Sequence, residues 1–309
     1  RTVPLFILNM AGFPSSLQEI ILKILEYVVT VVNCVPEQEL LSLCCLLQQP
    51  ITSELKKTIL SFFVKLLSFD QQYKKVLREV GVLEVLLDDL KQHRILGPDQ
   101  QNVISNQLER KSNSTNVKRH LDNKDVIITS TKIIKSGSGT FPIFDLEATI
   151  PVAWDCLVSI VKKSEVNQAS FRSANGVTAI LPFLVFDEHR PGVLRILSCL
   201  IIEDVSQAHP EELGALVEIL KSGIIINASG AQYRLSTDAK CDIMGALQRI
   251  LGTNHSVQKV FGEATGFSLL LTTLHGFQSE GGDLDQPSLN VCIKVFTYLL
   301  RVVTVGVSA

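Results

Sequence analysis

The sequence predicts an all-α fold: an armadillo/HEAT-type α-solenoid, a superhelical stack of repeats, broken by one long flexible insertion. Three observations point there. Apolar residues recur at spacings of three and four in segments long enough for helices of about three to five turns. The alternation expected of strands is nearly absent. Three segments also align without a gap on a shared glycine, Gly81, Gly176 and Gly266. With 46% hydrophobic and 19% charged residues among 309, the chain carries enough apolar surface for a large core and does not have the composition of a disordered tail. Length alone suggests about two compact domains. Repeat proteins grow in one dimension, so that expectation gives way to a search for repeats.

Taken in order, residues 1–13, RTVPLFILNMAGF, hold about eight apolar residues in a row, too few for a membrane span and without a signal-peptide cleavage pattern. Residues 15–33, SSLQEIILKILEYVVTVVN, form the first long helix, with Ser15 and Ser16 as candidate N-caps and Glu19 in a capping-box position. A second helix follows Pro36, with proline in its first turn, and ends before Pro50. A third runs from about Ser53 to Ser68 and sets Ile59, Phe62, Phe63, Leu66 and Leu67 on one side. From Pro98 to about Phe144 apolar residues scatter among Ser, Thr, Asn, Lys and Gly, the composition of a mobile insertion. Its basic residues, Arg110, Lys111, Lys118, Arg119, Lys132 and Lys135 among them, are partly balanced by acids, which fits a solvated loop better than a binding tail. Helical signals resume near residue 147, with loops near 187–191, 227–237 and 278–287, a helix boundary before Pro210 and a new unit from Pro287. The expected organisation is armadillo-like repeats over 1–97, a polar disordered insertion over 98–146, and repeats over 147–309 that continue past the end of the chain. Arg1 is no start methionine and the last helix breaks off at VTVGVSA, so a piece of a longer protein is expected.

The aligned segments carry the repeat. Counting back from the glycine, apolar columns hold Ile59, Trp154 and Met244; then Phe62, Leu157 and Leu247; then Leu66, Val161 and Leu251. That spacing, i, i+3 and i+7, is one helix face. Val76, Phe171 and Phe261 lie five residues before the glycine; after it come Val82, Val177 and Phe267, then Val85, Ile180 and Leu270, then Leu86, Leu181 and Leu271. The unit is a helix of about four turns, a short polar connector (SFDQQY, KSEVNQ, TNHSVQ), a short second helix, and a glycine corner into a third. Glycine suits the corner because it takes positive φ and lets helices approach closely. The glycines are 95 and 90 residues apart, close to two repeats of about 40–47 residues. Helices at 192–222 supply the missing repeat in the second gap, and the polar insertion is expected to occupy much of that place in the first. No unit of this kind buries its apolar face alone, so units must stack, and length becomes contact area.

Chemistry is harder to find. There is no H-E-x-x-H, G-x-S-x-G, Walker loop or zinc-spaced Cys/His cluster. KSGSGT at 135–140 has phosphate-loop glycines, but its lysine precedes them and no helix follows, so a loop is the better reading. The histidines, His93, His120, His189, His209, His255 and His275, are dispersed and read as solvated or helix-end residues. Trp154 falls in a core column. Seven cysteines without a C-x-x-C pair, with Cys44 and Cys45 adjacent in an apolar run, read as reduced core thiols. Sequons at Asn113, Asn227 and Asn254 have no secretory support. A net charge of −2 offers no general field for nucleic acid or acidic lipid. The third helices would line a groove, yet their outward columns differ, Glu84, Ala179 and Leu269 in one and Asp88, Phe183 and Thr273 in another, so no regular polar ladder is expected there. VTAILPFLVF is apolar nearly all round, with Pro182 placed to kink it, and is either covered by the next repeat or an exposed patch. Catalytic, cofactor-binding and metal residues are all expected to be none, with no cofactor, and the binding face is not identified.

The stretch 53–93, SELKKTILSFFVKLLSFDQQYKKVLREVGVLEVLLDDLKQH, and FRSANGVTAILPFLVFDEHRPGVLRILSCLI at 171–201 resemble the armadillo-like amino-terminal region of the large BEACH-domain proteins, nearest to that family's autophagy-linked, FYVE-bearing member. The resemblance implies a segment of a very large membrane-traffic scaffold, of the kind that carries BEACH, WD40 and FYVE modules toward its far end and serves selective clearance of aggregates. The matching residues are packing residues, so no functional residue is carried over. The expected function is a protein–protein interaction scaffold segment in selective autophagy or vesicle traffic, not an enzyme. The alternatives are an α-helical regulatory domain, whether a GTPase regulator or a concealed enzyme, and a purely structural spacer. Expected partners are other proteins, autophagy or membrane-traffic components by resemblance, and other modules of the same long chain. Nucleic acid and inserted membrane are not expected partners. The expected compartment is the cytoplasm, with autophagic or endosomal membranes reached through modules outside this chain.

Overall fold

The structure is a computed structural model that describes residues 2–92, 143–145, 147–202, 210–226, 230, 232–253, 257–259 and 261. Gly266, the three sequons, the KSGSGT loop and the unit from Pro287 lie outside them, as does most of the 98–146 segment. The helices are α1 (Thr2–Leu8), α2 (Ser15–Thr30), α3 (Glu37–Leu47), α4 (Ser53–Phe69), α5 (Gln72–Glu79), α6 (Val82–Gln92), α7 (Ile150–Val161), α8 (Glu165–Ser173), α9 (Gly176–Ile180), α10 (Arg190–Ile202), α11 (Pro210–Ser222) and α12 (Thr237–Thr253). The fold is the expected armadillo/HEAT-type α-solenoid.

Local sequence explains some helix ends. Thr52 caps α4, its side chain accepting the Leu55 N–H at 3.3 Å. The capping box expected at α2 does not form: Pro14 occupies the cap position, and Ser15 is already helical. Gln18 holds that entry instead, donating to the carbonyls of Met10 at 3.1 Å and Phe13 at 2.9 Å. Pro182 does more than kink its helix. With no N–H to donate, it ends α9 at Ile180, and the chain continues as a 3-10 turn over Leu181–Val185. That apolar stretch is covered, with Ile180, Phe183 and Leu184 all buried.

The aligned glycines serve different physical ends. Gly81 has φ +89°, and a Cβ there would meet nothing within 4 Å, so its backbone angle alone demands glycine. In the next unit the left-handed corner falls one residue earlier, on Asn175 at φ 57°. Gly176 is needed for closeness: a Cβ there would lie 2.6 Å from the Phe171 carbonyl oxygen and 2.7 Å from its ring.

Helices stack in two rows. The long helices pack in succession, α2 on α4, α4 on α7, α7 on α10 and α10 on α12. Beside them α1 packs on α3, α3 on α6 and α6 on α9. The direct seating of α7 against α4 corrects one expectation. The first two aligned units are neighbours in the row, and the polar insertion takes no repeat's place between them. In the second gap α10 does sit between α7 and α12, as expected.

The chain returns from that segment to the helix it left. Asp89, three residues before the end of α6, accepts the backbone N–H groups of Ile143 at 2.8 Å and Phe144 at 3.0 Å. Ile143 and Phe144 fall inside the expected insertion yet are buried, and the Thr149 hydroxyl donates to the Ile143 carbonyl. Burial raises the Asp89 carboxyl above its ordinary range, while the two N–H donors and the buried Lys56 ammonium pull it back.

Polar connectors tie the helices of one repeat together and, at Asn167, one repeat to the next. Gln168 donates to the Val161 carbonyl at 3.3 Å, and Gln258, in the same column, donates to Leu251 at 2.6 Å. Asn167, 1% exposed, bridges the carbonyls of Ile160 at 2.9 Å and Lys74 at 3.1 Å, joining α8 to α5. Around Trp154 the α7–α10 seat is closest: a Cβ on Gly192 would come within 2.3 Å of the indole. The Trp154 N–H donates to His189 Nδ1 at 3.1 Å, and Phe144 meets the indole edge-on at a centroid distance of 4.9 Å. A hairpin missed by the sequence reading pairs Ile224–Ile226 antiparallel with Gln232–Arg234, burying Ile225 opposite Tyr233. Strands of three residues are too short to show a period.

Two outcomes follow. Gly192→Ala costs about 1–3 kcal/mol by overpacking, whereas Gly214→Ala, in open space on α11, stabilises by roughly 0.5–1 kcal/mol; thermal melts followed by circular dichroism measure both. Asp89→Ala removes the acceptor of two N–H groups and costs about 2–4 kcal/mol, and hydrogen exchange at the Ile143 and Phe144 amides accelerates ahead of the other protected amides.

Candidate protein-binding surface

Packing on both sides of α4, α7 and α10 leaves one side of the row open, and polar residues at helical spacing fill it. On α4 these are Lys57, Ser61 and Lys65; on α7, Asp155 and Ser159; on α10, Arg195 and Ser198. Ion pairs cross from helix to helix along this side. Lys65 reaches Glu26 of α2 at 3.0 Å, and Arg195 reaches Asp155 of α7 at 2.5 Å. Both pairs are solvent-exposed, so each contributes less to stability than to the pattern of charge the row presents. Sequence reasoning looked for a ladder on the helices after each glycine and missed this one. Its members come from different alignment columns, so no repeat of residue type announced it.

The second row is less regular. Glu37, Leu41 and Cys45 of α3 and Glu84 and Asp88 of α6 are exposed. The expected outward column breaks at α9, where Phe183 is buried and Ala179 only half-buried, because Pro182 has turned the chain. Leu269 and Thr273 lie outside the described residues.

Buried charge is committed to joints. Arg190, 3% exposed, donates to the carbonyls of Leu184 at 2.9 Å and Val185 at 3.4 Å and pairs with Asp187 and, at 2.9 Å, with Asp242 of α12. Arg172 pairs with Glu212 at 2.5 Å and donates to the Leu200 carbonyl at 2.9 Å, tying α8 to α10 and α11. Among the described residues no group of three or more His, Cys, Asp or Glu side chains is placed to hold a metal ion, and no helix is long and apolar enough to cross a membrane. His189 is the one histidine described; it precedes α10 as a helix-end residue but is buried at 4% exposure, not solvated. The other five lie outside the described residues.

The cysteines divide where a uniform set of core thiols was expected. Cys44 and Cys156 are buried, and Cys34 and Cys45 are exposed. Burial pushes the Cys44 thiol up to about 12, with the neighbouring Cys45 and Glu84 adding to the shift, and raises Cys156 as well. A maleimide therefore labels Cys34 and Cys45 in the native protein. Cys44 and Cys156 stay unlabelled from pH 7 to 9 until denaturant is added, which mass spectrometry of digests reads directly.

No model of a known protein family matches the chain. Curated relatives do, among them, over 308 residues each, Protein SPIRRIG of Arabidopsis thaliana at 68% identity and BEACH domain-containing protein A2 of Arabidopsis thaliana at 66%. Each match covers 99% of this chain and 9% of the relative, so the chain spans about a tenth of the length of the curated relatives it matches. Among solved structures, a designed armadillo repeat protein in complex with a (KR)4 peptide aligns with a TM-score of 0.46 at 13% identity, covering 97% of this chain and 100% of that one. An engineered protein aligns with a TM-score of 0.42 at 15% identity, covering 96% of this chain and 88% of that one. Along almost its whole length, the chain is the counterpart of one stretch of a much longer BEACH domain-containing protein of Arabidopsis.

Proposed function

We propose that this chain is a scaffold segment that holds other proteins against the open side of its long-helix row, within a BEACH-type protein of selective autophagy or vesicle traffic in the cytoplasm. The observation that carries the scaffold reading is the continuous charged side running over α2, α4, α7 and α10, crossed by the Glu26–Lys65 and Asp155–Arg195 pairs. A surface built by stacking, with its buried arginines spent on joints, suits holding better than turnover. Mixed signs along the row favour partners with an alternating charge pattern over uniformly acidic nucleic acid. The autophagy or traffic setting rests on the resemblance of residues 53–93 and 171–201 to the autophagy-linked BEACH protein, and aggregate clearance belongs to that reading. The repeat organisation over 1–97 and 147–309 gives the segment its reach, with Ile143 and Phe144 of the 98–146 segment joining the core.

Proximity capture and pull-down with this chain, with and without residues 98–142, which leaves the buried Ile143 and Phe144 in place, test the reading. Recovered protein partners are expected in both forms. Lys65→Glu with Arg195→Glu reduces their capture at least tenfold while the thermal midpoint moves little, since exposed pairs contribute about 1 kcal/mol or less. If neither form recovers a protein partner, the segment is a structural spacer and the scaffold reading is wrong.

A further inference from the structure

A second surface differs in kind from the charged side. On α2 and at its C-cap, Ile20, Ile24, Tyr27 and Val31 are 51%, 57%, 58% and 62% exposed. At 100° per residue these four fall within about 60° of one another around the helix axis. They form a single stripe, on the side opposite the buried Ile21, Leu22, Leu25 and Val29. Scattered exposed apolar residues are ordinary; a continuous stripe along one helix is not.

The row itself shows what such a stripe is for. α4 is seated between α2 and α7, and α7 between α4 and α10, so each of these helices has two apolar sides and both are covered. α2 carries the same two apolar sides, and among the described long helices it packs on α4. Glu26 of the same helix lies nearer the buried side and already pairs with Lys65 of α4, so a further helix seated on the stripe would extend the stacked core past α2 without disturbing that pair. The chain spans 9% of its curated relatives, and a polypeptide of that length has ample sequence to supply such a helix.

We infer that the Ile20, Ile24, Tyr27 and Val31 stripe is a repeat-to-repeat joint, and that its occupant is an amphipathic helix from a further helical repeat of the same long polypeptide. The occupant presents apolar residues at i, i+3 or i+4, and i+7, as α4 presents Ile59, Phe62, Phe63 and Leu66. This joint is separate from the charged side, so partner capture can fail while the joint stands, or the reverse.

The test is a photo-crosslinking phenylalanine derivative at position 27 of the full-length polypeptide, with the adduct mapped by mass spectrometry. An adduct within the same polypeptide, on an apolar position of a helix outside residues 1–309, is expected. An adduct on a second copy or on a different protein overturns the assignment, as does the absence of any adduct. Limited proteolysis supplies an independent readout. Ile24→Glu in the full-length protein should speed cleavage near α2 at least tenfold, while Lys57→Glu, on the exposed charged side of α4, should not. Equal cleavage rates for the two variants would also overturn it.

Discussion

A helix that is apolar on two opposite sides cannot be satisfied by one neighbour, and that constraint organises this protein. α4 and α7 each carry apolar residues on two sides, and each is seated between two other long helices. A compact bundle would bring the row back on itself; a stack lets each helix meet one predecessor and one successor, so contacts stay between neighbours and the row can lengthen without a change of plan. The third side of every long helix then remains in water, and it is there that Lys65, Asp155 and Arg195 lie. Surface for partners is a consequence of how the core is built.

Apolar contact alone would let such rows slide, because leucine-rich faces pack acceptably in several registers. Buried polar groups remove that freedom. Asn167 can bridge Ile160 and Lys74 only when α8 sits at one height beside α5. Asp89 accepts two specific N–H groups and so returns the chain to α6 at one place. Arg190 joins the 3-10 turn, the loop after it and α12 through a single guanidinium. Each group is costly to bury unpartnered, so each discriminates against neighbouring registers. Trp154 and Gly192 do the same by shape, since the indole occupies the volume a side chain at 192 would need.

These joints also bear on function. A buried arginine held by carbonyls and carboxylates is not available to complete another protein's active site, and thiols raised by burial are poor nucleophiles. Accessible among the described residues are charge of both signs on one side and an apolar stripe on α2. The first suits reversible contact with other proteins, since mixed charge steers and discriminates more than it binds. The second suits a permanent neighbour, because a stripe of that kind gains by leaving water altogether.

By itself the sequence determined the all-α class, the repeated unit and most of the core. Period-3.6 spacing names a helix face wherever it occurs, and the columns through Ile59, Trp154 and Met244 or Phe62, Leu157 and Leu247 are buried where the spacing put them. It also marked the glycine corners, though not that Gly81 answers to its backbone angle and Gly176 to the nearness of Phe171. Tertiary structure alone decided which helices are neighbours. α7 seats on α4, and Asp89 of α6 accepts the Ile143 N–H across 54 residues, contacts that no local pattern encodes. The charged side was hidden for the same reason: Glu26 with Lys65 and Asp155 with Arg195 pair across a gap of about 40 positions, and only stacking makes them adjacent.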